Sequence, residues 1–351
     1  MSKKIKVLHI LCSNQYSGAE NVICQIIGLF NNDTDFEFVY ASPNGPIRET
    51  LYEQNIKFAA MSKATIGEFK RVIDIENPDI IHAHDMRASF LAALVCGKIP
   101  LISHIHNNNF DSQKISAKAI LYKYAANKAK HIFWVSKSSF TGYRFHKNLE
   151  EKSTILCNVI NPGELIRKAE KAEKKISYDV VYIGRLTYQK NPQRLINVLS
   201  IVAENYPQVK CAIIGDGDLS GEVNKIISEK HLEKNIYTLG FLKNPYGILM
   251  NSKVLVMTSR WEGTPMCAIE AMILGIPIVS TPTDGLVDLV ENGITGILSN
   301  DDNKLAESII EIISNDTMRE KMGYAAQKTG NNLMDLVKYK NQIEQQYRKS
   351  L

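Results

Sequence analysis

Two glutamates, Glu262 and Glu270, stand eight positions apart in the stretch SRWEGTPMCAIEAMILGIP. Glu262 lies in a polar segment beside Gly263, while Glu270 sits inside an apolar run with helical spacing. VLVMTS before them reads as a strand, and RWEGTP as the loop beyond its carboxyl end. Thr264 suits the N-cap of the next helix and Pro265 its first residue. The early amides of that helix, from Met266 and Cys267, would then leave a positive dipole end able to hold hydroxyl or phosphate oxygens. Glu270 falls about one and a half turns inside, roughly 7–8 Å along the axis. Two carboxylates so placed can accept from different hydroxyls of one extended ligand. Taken alone they better fit a helix-face carboxylate salt-bridged to a neighbour and an ordinary loop carboxylate.

They are not alone. GRLTYQKN puts Arg185 directly after another strand and Lys190 five residues later. A planar guanidinium fork and a point charge at a sheet edge are what an anionic ligand requires. Two cations, helix amides and two carboxylates in one half of the chain describe a polyol that also carries a diphosphate. A nucleotide sugar fits.

Other signals compete. HAHD and HIH raise a metal-dependent hydrolase. Alternation puts His82 and His84 on one strand face, but no carboxylate–histidine set at matching spacing follows, so no metal site is expected. His104 reads as a packed strand histidine, and His106, at the strand end, as the better site candidate. Asp33–Asp35 and Asp216–Asp218 match a D-x-D metal motif formally; both read as turns. GDGDLSG lacks the spacing of a dinucleotide fingerprint, which argues against an NAD enzyme.

The elements that must position these residues repeat one grammar twice. IKVLHIL, EFVYAS, DIIHAHD, PLISHIH and HIFWVS are short apolar runs ending in polar residues, separated by helix-like segments such as AENVICQIIGLF and MRASFLAALVCG. The pattern restarts at Tyr178 with YDVVYIG, VKCAIIG, NIYTLG, VLVMTS and IPIVST. Strands alternating with helices call for parallel sheets covered on both faces, with ligands bound beyond the carboxyl ends of the strands. The expected division is an N-terminal domain over 1–162, a Lys- and Glu-rich linker over 163–177, a second domain over 178–333 and a closing helix over 334–351.

A chain of 351 residues, 44% hydrophobic and 23% charged, suits two cores in a globular protein. No apolar run approaches the roughly 18 residues of a membrane span. MSKKIKVLHIL reads as a buried first strand, since polar CSNQYSG follows in place of a cleavage site. The six cysteines are scattered without a CxxC pair, which points to reduced thiols and a cytoplasmic setting. The net charge is +5, yet residues 112–149 hold eight Lys or Arg and no Asp or Glu, leaving the remainder at about −3. That stretch is either a solvated helix face or a patch for anionic lipid or substrate.

In order along the chain, SGAENVI, HIHNN, ILCNVIN, YIGRLTYQKN, IIGDGDL, LGFL, SRWEGTPMCAIEAMILGIPIVST and LVENGITGIL resemble the motifs of the retaining GT-B glycosyltransferases of family 4, of the bacterial surface-polysaccharide type. Val159 stands where the family usually has glycine, and TPTDGLVDLV departs from its commoner GG form. The resemblance implies an α/β GT-B fold, two Rossmann-like parallel-sheet domains facing across a cleft, with the acceptor on the N-terminal side. It implies that Arg185 and Lys190 bind the donor diphosphate and stabilise the charge it gains on leaving. Glu270 would accept from the ribose, and Glu262, with amides from Thr264 through Pro265 and Met266 to Cys267, would hold the transferred sugar. His106 would sit near the anomeric carbon, and Gly18 would let backbone approach the phosphates. The implied reaction is metal-independent transfer of a hexose-type sugar, with retention, from a UDP-sugar or GDP-sugar to a glycan or lipid-linked acceptor in capsule or lipopolysaccharide synthesis. No further cofactor and no nucleic acid is implied. The setting would be the cytoplasm or the inner face of the plasma membrane, reached through the basic stretch. Another GT-B activity, a nucleotide-sugar epimerase or hydrolase, and a noncatalytic binding subunit are the alternatives.

Overall fold

The computed structural model describes residues 3–16, 18–31, 33–106, 112–172 and 176–351. The asparagines that follow His106, and part of the stretch read as a linker, lie outside the described residues.

The chain divides into two compact units, one of Met1–Val159 with Asp335–Leu351 and one of Ile160–Met334. The first holds β1 (Ile5–Ile10), β2 (Phe36–Pro43), β3 (Phe58–Met61), β4 (Ile80–His84), β5 (Leu101–Ile105), β6 (His131–Trp134) and β7 (Ser153–Ile155). Their order is β3-β2-β1-β4-β5-β6-β7, and every pair is parallel. The second holds β8 (Tyr178–Ile183), β9 (Cys211–Ile214), β10 (Ile236–Gly240), β11 (Ser252–Met257), β12 (Ile278–Ser280) and β13 (Gly296–Leu298). Their order is β10-β9-β8-β11-β12-β13, again all parallel. Each unit is a Rossmann-like α/β layer structure, and each sheet reverses its winding once, between β1 and β4 or between β8 and β11. Ligands bind beyond the carboxyl ends of strands at such switch points.

Helices cover both faces of each sheet because the strands are apolar on both sides. In the second unit Val180, Val254 and Val256 pack towards Leu195, Leu199 and Ile309, while Val181, Leu255 and Met257 pack the other way onto Ala268 and Met272. Each such buried aliphatic side chain contributes about 1.5–3 kcal/mol of transfer free energy.

The segment expected as a linker begins as a helix. Pro162–Glu170 is a helix with Pro at its first turn, and the Asn161 side chain accepts from Glu164 N at 3.1 Å. Leu165, with Ile160, Ile269 and Ile273, closes a small core of the second unit. Glu164, Arg167, Lys168 and Glu170 are the solvent face of the helix. The helix Leu336–Ser350, expected as a closing element, belongs to the first unit, where it buries Tyr339, Ile343 and Tyr347 at intervals of four. Lys340 and Arg348 on that helix pair with Asp33 (3.0 Å) and Asp35 (2.6 Å). The first D-x-D is therefore a dock for the helix. In the second, Asp216 accepts from Gly217 N and the Ser220 hydroxyl, closing a turn. No disulfide joins the cysteines; four are buried, Cys12 is half-buried and Cys157 is exposed. No described helix is long and apolar enough to cross a membrane.

Candidate active site

Arg185 and Lys190 lie in the loop leaving β8, and Glu262 in the loop leaving β11, so the switch point of the second sheet brings them together. Lys190 Nζ donates to Glu262 Oε1 at 2.6 Å, and Ser259 Oγ donates to the same oxygen at 2.5 Å. The pair is buried, with side-chain exposures of 15% and 5%. Burial works against the Lys190 ammonium, yet the Glu262 charge prevails and holds its pKa above the usual lysine value. The roles implied above give Lys190 to a diphosphate and Glu262 to a sugar; here each satisfies the other. The Arg185 side chain is exposed and makes no hydrogen bond or ion pair among the described residues.

The two loops are knitted by contacts that sequence did not disclose. Arg260 donates to Asn191 Oδ1 at 2.9 Å, and its guanidinium lies 4.3 Å from the Tyr188 ring centre. Gln189 Nε2 donates to Trp261 O at 3.0 Å, and Arg260 N to Gln189 O at 2.8 Å. Asn191 takes a left-handed φ of +53°, which asparagine tolerates, and so turns the chain into the helix Pro192–Asn205. These contacts fix where Lys190 and Glu262 meet.

The helix after β11 starts one residue later than expected. It spans Met266–Ile273, with Pro265, in extended conformation, as N-cap and no side-chain cap bond. Proline has no donor of its own there, and its carbonyl accepts from Ala268 N at 3.1 Å and Ile269 N at 3.4 Å. Thr264 is buried before this end. Burial pushes the Cys267 thiol up to about 12 and keeps it protonated. Gly285 lets the next loop close on this one: a Cβ there would lie 1.6 Å from Gly263 O. The glycine of TDG is thus demanded by packing.

Glu270 is 6% exposed, and its Oε1 accepts from the Tyr246 hydroxyl at 3.1 Å. Among the described residues it has no salt-bridge partner, contrary to the helix-face alternative. Burial, opposed by the Tyr246 hydrogen bond and the more distant Lys168, raises its pKa to about 7.

In the first unit, His106 follows β5 at its carboxyl end, and its backbone N donates to Asp85 Oδ1 at 3.1 Å. Asp85 itself has φ +69°, an uncommon geometry that places the carboxylate beside β5. Gly18 opens the helix Gly18–Leu29 beyond the carboxyl end of β1, and it is exposed. His106 is not isolated. His9, His82, His84, His104 and His106 stack across β1, β4 and β5, all buried, with ring centres 4.2–5.4 Å apart. The i, i+2 spacing within HAH and HIH shows two members of this cluster per strand; His9, a lone histidine in an apolar strand, gives no signal.

Two family models match, one described as Glycosyltransferase Family 4 over residues 17–164 and one as Glycosyl transferases group 1 over residues 164–329. An uncharacterized glycosyltransferase of Methanocaldococcus jannaschii is 34% identical over 237 residues, which is 62% of this chain and only 57% of that relative's length. The UDP-Gal:alpha-D-GlcNAc-diphosphoundecaprenol alpha-1,3-galactosyltransferase of Escherichia coli is 26% identical over 333 residues, 84% of each chain. The crystal structure of Anabaena HepE in complex with UDP and glucose shares the fold, with a TM-score of 0.85 at 20% identity over 98% of this chain and 100% of that one. With matched models running from residue 17 to residue 329 and two Rossmann-like sheets of the GT-B kind, the chain belongs to the GT-B glycosyltransferases of group 1 and family 4.

Proposed function

We propose that this protein transfers a hexose-type sugar from a UDP-sugar, with a GDP-sugar as the alternative donor, to a glycan or lipid-linked acceptor of a surface polysaccharide. The observation that carries the reading is the placement of exposed Arg185 beside the buried Lys190–Glu262 pair at a sheet switch point. Arg185 offers a fork to a diphosphate. Lys190 offers charge at the same edge, and its ion pair with Glu262 keeps both side chains in place until ligand oxygens and hydroxyls compete for them. Glu270, its pKa raised to about 7 by burial, can accept from ribose hydroxyls. These groups offset the charge that develops on a departing nucleoside diphosphate without a metal. The relatives support the donor and acceptor classes: one acts from UDP-Gal on a diphosphoundecaprenol-linked sugar, and one on poly(ribitol-phosphate).

A thermal-shift series with UDP-, GDP-, ADP- and CMP-sugars identifies the base, UDP being expected to stabilise most. Turnover of that donor should require an acceptor. Acceptor-independent release of the nucleotide would favour a hydrolase, and binding without turnover a noncatalytic subunit. An α-linked donor should yield an α-linked product in anomeric proton couplings; a β-linked product rejects retention. Transfer should survive EDTA, and loss restored by manganese or magnesium rejects metal independence.

The acceptor side carries the membrane part of the reading. On and before the helix Ala117–Lys128, Ile115, Ile120, Leu121 and Tyr124 are 46–68% exposed among lysines. Exposed aliphatics interleaved with cations suit an anionic bilayer surface, where each cation contributes about 1 kcal/mol. Lys123 is partly engaged, its ammonium 4.6 Å from the Phe145 ring centre. The protein should pellet with anionic vesicles at low salt and release at high salt, and charge reversal at Lys114 and Lys118 should weaken pelleting. Equal behaviour on neutral vesicles removes the membrane claim and leaves the transferase reading in place.

A further inference from the structure

The histidine cluster contains a continuous hydrogen-bonded path. His106 Nε2 lies 2.8 Å from His84 Nδ1, and His84 Nε2 lies 2.9 Å from His9 Nδ1. His9 Nε2 lies 3.4 Å from the Tyr347 hydroxyl, which lies 2.8 Å from His82 Nδ1. The two ends, His106 Nδ1 and His82 Nε2, are buried and have no partner among the described residues. Register explains the path: His9 is directly opposite His82, and His84 opposite His104, so alternation stacks the rings on one face of the sheet.

The imidazoles are neutral. Burial drives His9 down to about 3 and His106 to about 4, and holds His82, His84 and His104 well below the ordinary value. A neutral ring carries one N–H, and each link needs one proton. The directions are therefore not independent: with the Tyr347 hydroxyl donating to one neighbour and accepting from the other, only two arrangements of the whole path exist, and a hydroxyl accepting from both sides would leave its own O–H unbonded in the interior. In one, His106 donates inward and His82 is left with an N–H that has no acceptor in the fully buried interior. In the other, every ring carries its proton on Nδ1, His82 keeps only an unused lone pair, and His106 presents Nδ1–H at the strand end. Each arrangement leaves one N–H without a partner among the described residues, but at His106, 6% exposed at the strand end, it lies nearer the surface than at His82, which is 0% exposed. The Glu20 carboxylate also acts on His106, and a negative charge there favours an N–H at that end of the path.

We propose that Tyr347, His9 and His84 are positioning residues that lock His106 in its Nδ1–H tautomer, so that it meets a ligand as a hydrogen-bond donor. A three-histidine metal site is the competing use of the same rings, since His9/His82/His84 and His84/His104/His106 each gather ligand atoms within 4.8 Å. Nitrogens paired at 2.8 and 2.9 Å on stacked rings share protons instead of converging on a cation.

The test is two-bond proton–nitrogen correlation on the full chain with 15N-labelled histidine. His9, His82, His84 and His106 are each expected as the Nδ1–H tautomer, the minor form of free imidazole. Tyr347→Phe should leave the fold intact, since it removes only a hydroxyl, and turn His106 into a mixture. His84→Leu should release His106 from Nδ1–H, and His84→Asn, whose amide can donate near the Nδ1 position, should restore it. Nε2–H at His84 and His106, or a His106 signal indifferent to all three variants, overturns the proposal. So does one zinc ion per chain retained through dialysis, with the shifts of metal-bound imidazole. The donor role of His106 rests on the transferase reading, whereas the tautomers do not. If no transfer is found, the spectra still decide the relay. Where transfer is measured, His84→Leu should lower kcat about fivefold to tenfold at unchanged donor KM, with His84→Asn recovering it. Equal kcat in the two variants overturns the positioning role.

Discussion

At the switch point of the first sheet, between β1 and β4, the inward residues are His9, His82 and His84, joined from β5 by His104 and His106. At that of the second, between β8 and β11, the loops carry Arg185, Lys190 and Glu262. Strand order and strand direction are the same in both places. The first set is neutral, deep in the strands and linked ring to ring; the second is charged and sits in the loops. Neutral rings can be stacked inside a core at modest cost once their protons are shared. Charges cannot, so Lys190 and Glu262 occur as a pair and Arg185 stays in solvent. The fold supplies the location, and the residue types decide whether the location steers a proton or holds an anion.

The largest effect tests the pairing. Lys190→Ala leaves the Glu262 carboxylate buried without its cation and should cost about 3–5 kcal/mol in urea unfolding. Replacing both, as in Lys190→Met with Glu262→Leu, should recover most of the loss. A single variant as stable as the parent would show that the pair is not buried as described.

Glu270 comes next and has a pH signature. Its pKa is about 7 in the fold against about 4.5 for an ordinary glutamate. Between those values the unfolded chain has lost the proton and the folded chain keeps it, so stability falls as pH rises from about 4.5 to 7 and is level above. Glu270→Gln removes this dependence. Its advantage over the parent should be absent near pH 4 and reach at most about 3 kcal/mol by pH 8. An advantage constant across that range would refute the raised pKa.

Arg185 should contrast with both. Being exposed and unpaired among the described residues, it should be replaceable by alanine with no change in Tm. UDP affinity should still drop about tenfold to a hundredfold by calorimetry, the worth of a charge-assisted hydrogen bond. Unchanged affinity would remove Arg185 from the diphosphate site.

What sequence shows of this molecule follows burial and distance along the chain. The five central runs of the first half and four of the second read as strands because both faces are apolar; NIYTLG read as one although β10 is an edge strand with three exposed residues. β3, β7 and β13 were not legible, since they are three- or four-residue edge strands with half-exposed side chains. Arg185, Lys190, Glu262 and Glu270 stood out by type and by position after a strand. That Lys190 meets Glu262 did not, because the partners are 72 residues apart. Tyr347 is 265 residues from His82, and only the fold brings its hydroxyl there.

The smallest effect probes the neutral side. His104 lies in the cluster but outside the path: both ring nitrogens are buried and lack a hydrogen-bond partner among the described residues, and its ring stacks on His106 at 4.2 Å. A buried polar group with no partner carries its desolvation cost without return, about 1–3 kcal/mol at the full penalty. An apolar side chain of similar volume removes that cost and still packs against His82, His84 and Phe133, while giving up ring contacts of which the 4.2 Å stack on His106 is the tightest, worth about 0.5–1.5 kcal/mol. His104→Leu should therefore be neutral or up to about 1 kcal/mol more stable in urea unfolding, and the His106 tautomer should stay unchanged by NMR. The sign is opposite to that of Lys190→Ala, although both substitutions replace a buried polar side chain with an apolar one beneath a switch point. A loss of 2 kcal/mol or more at His104 would mean that its nitrogens are bonded in solution. The first switch point would then be as polar in its requirements as the second, and the contrast between them would fail.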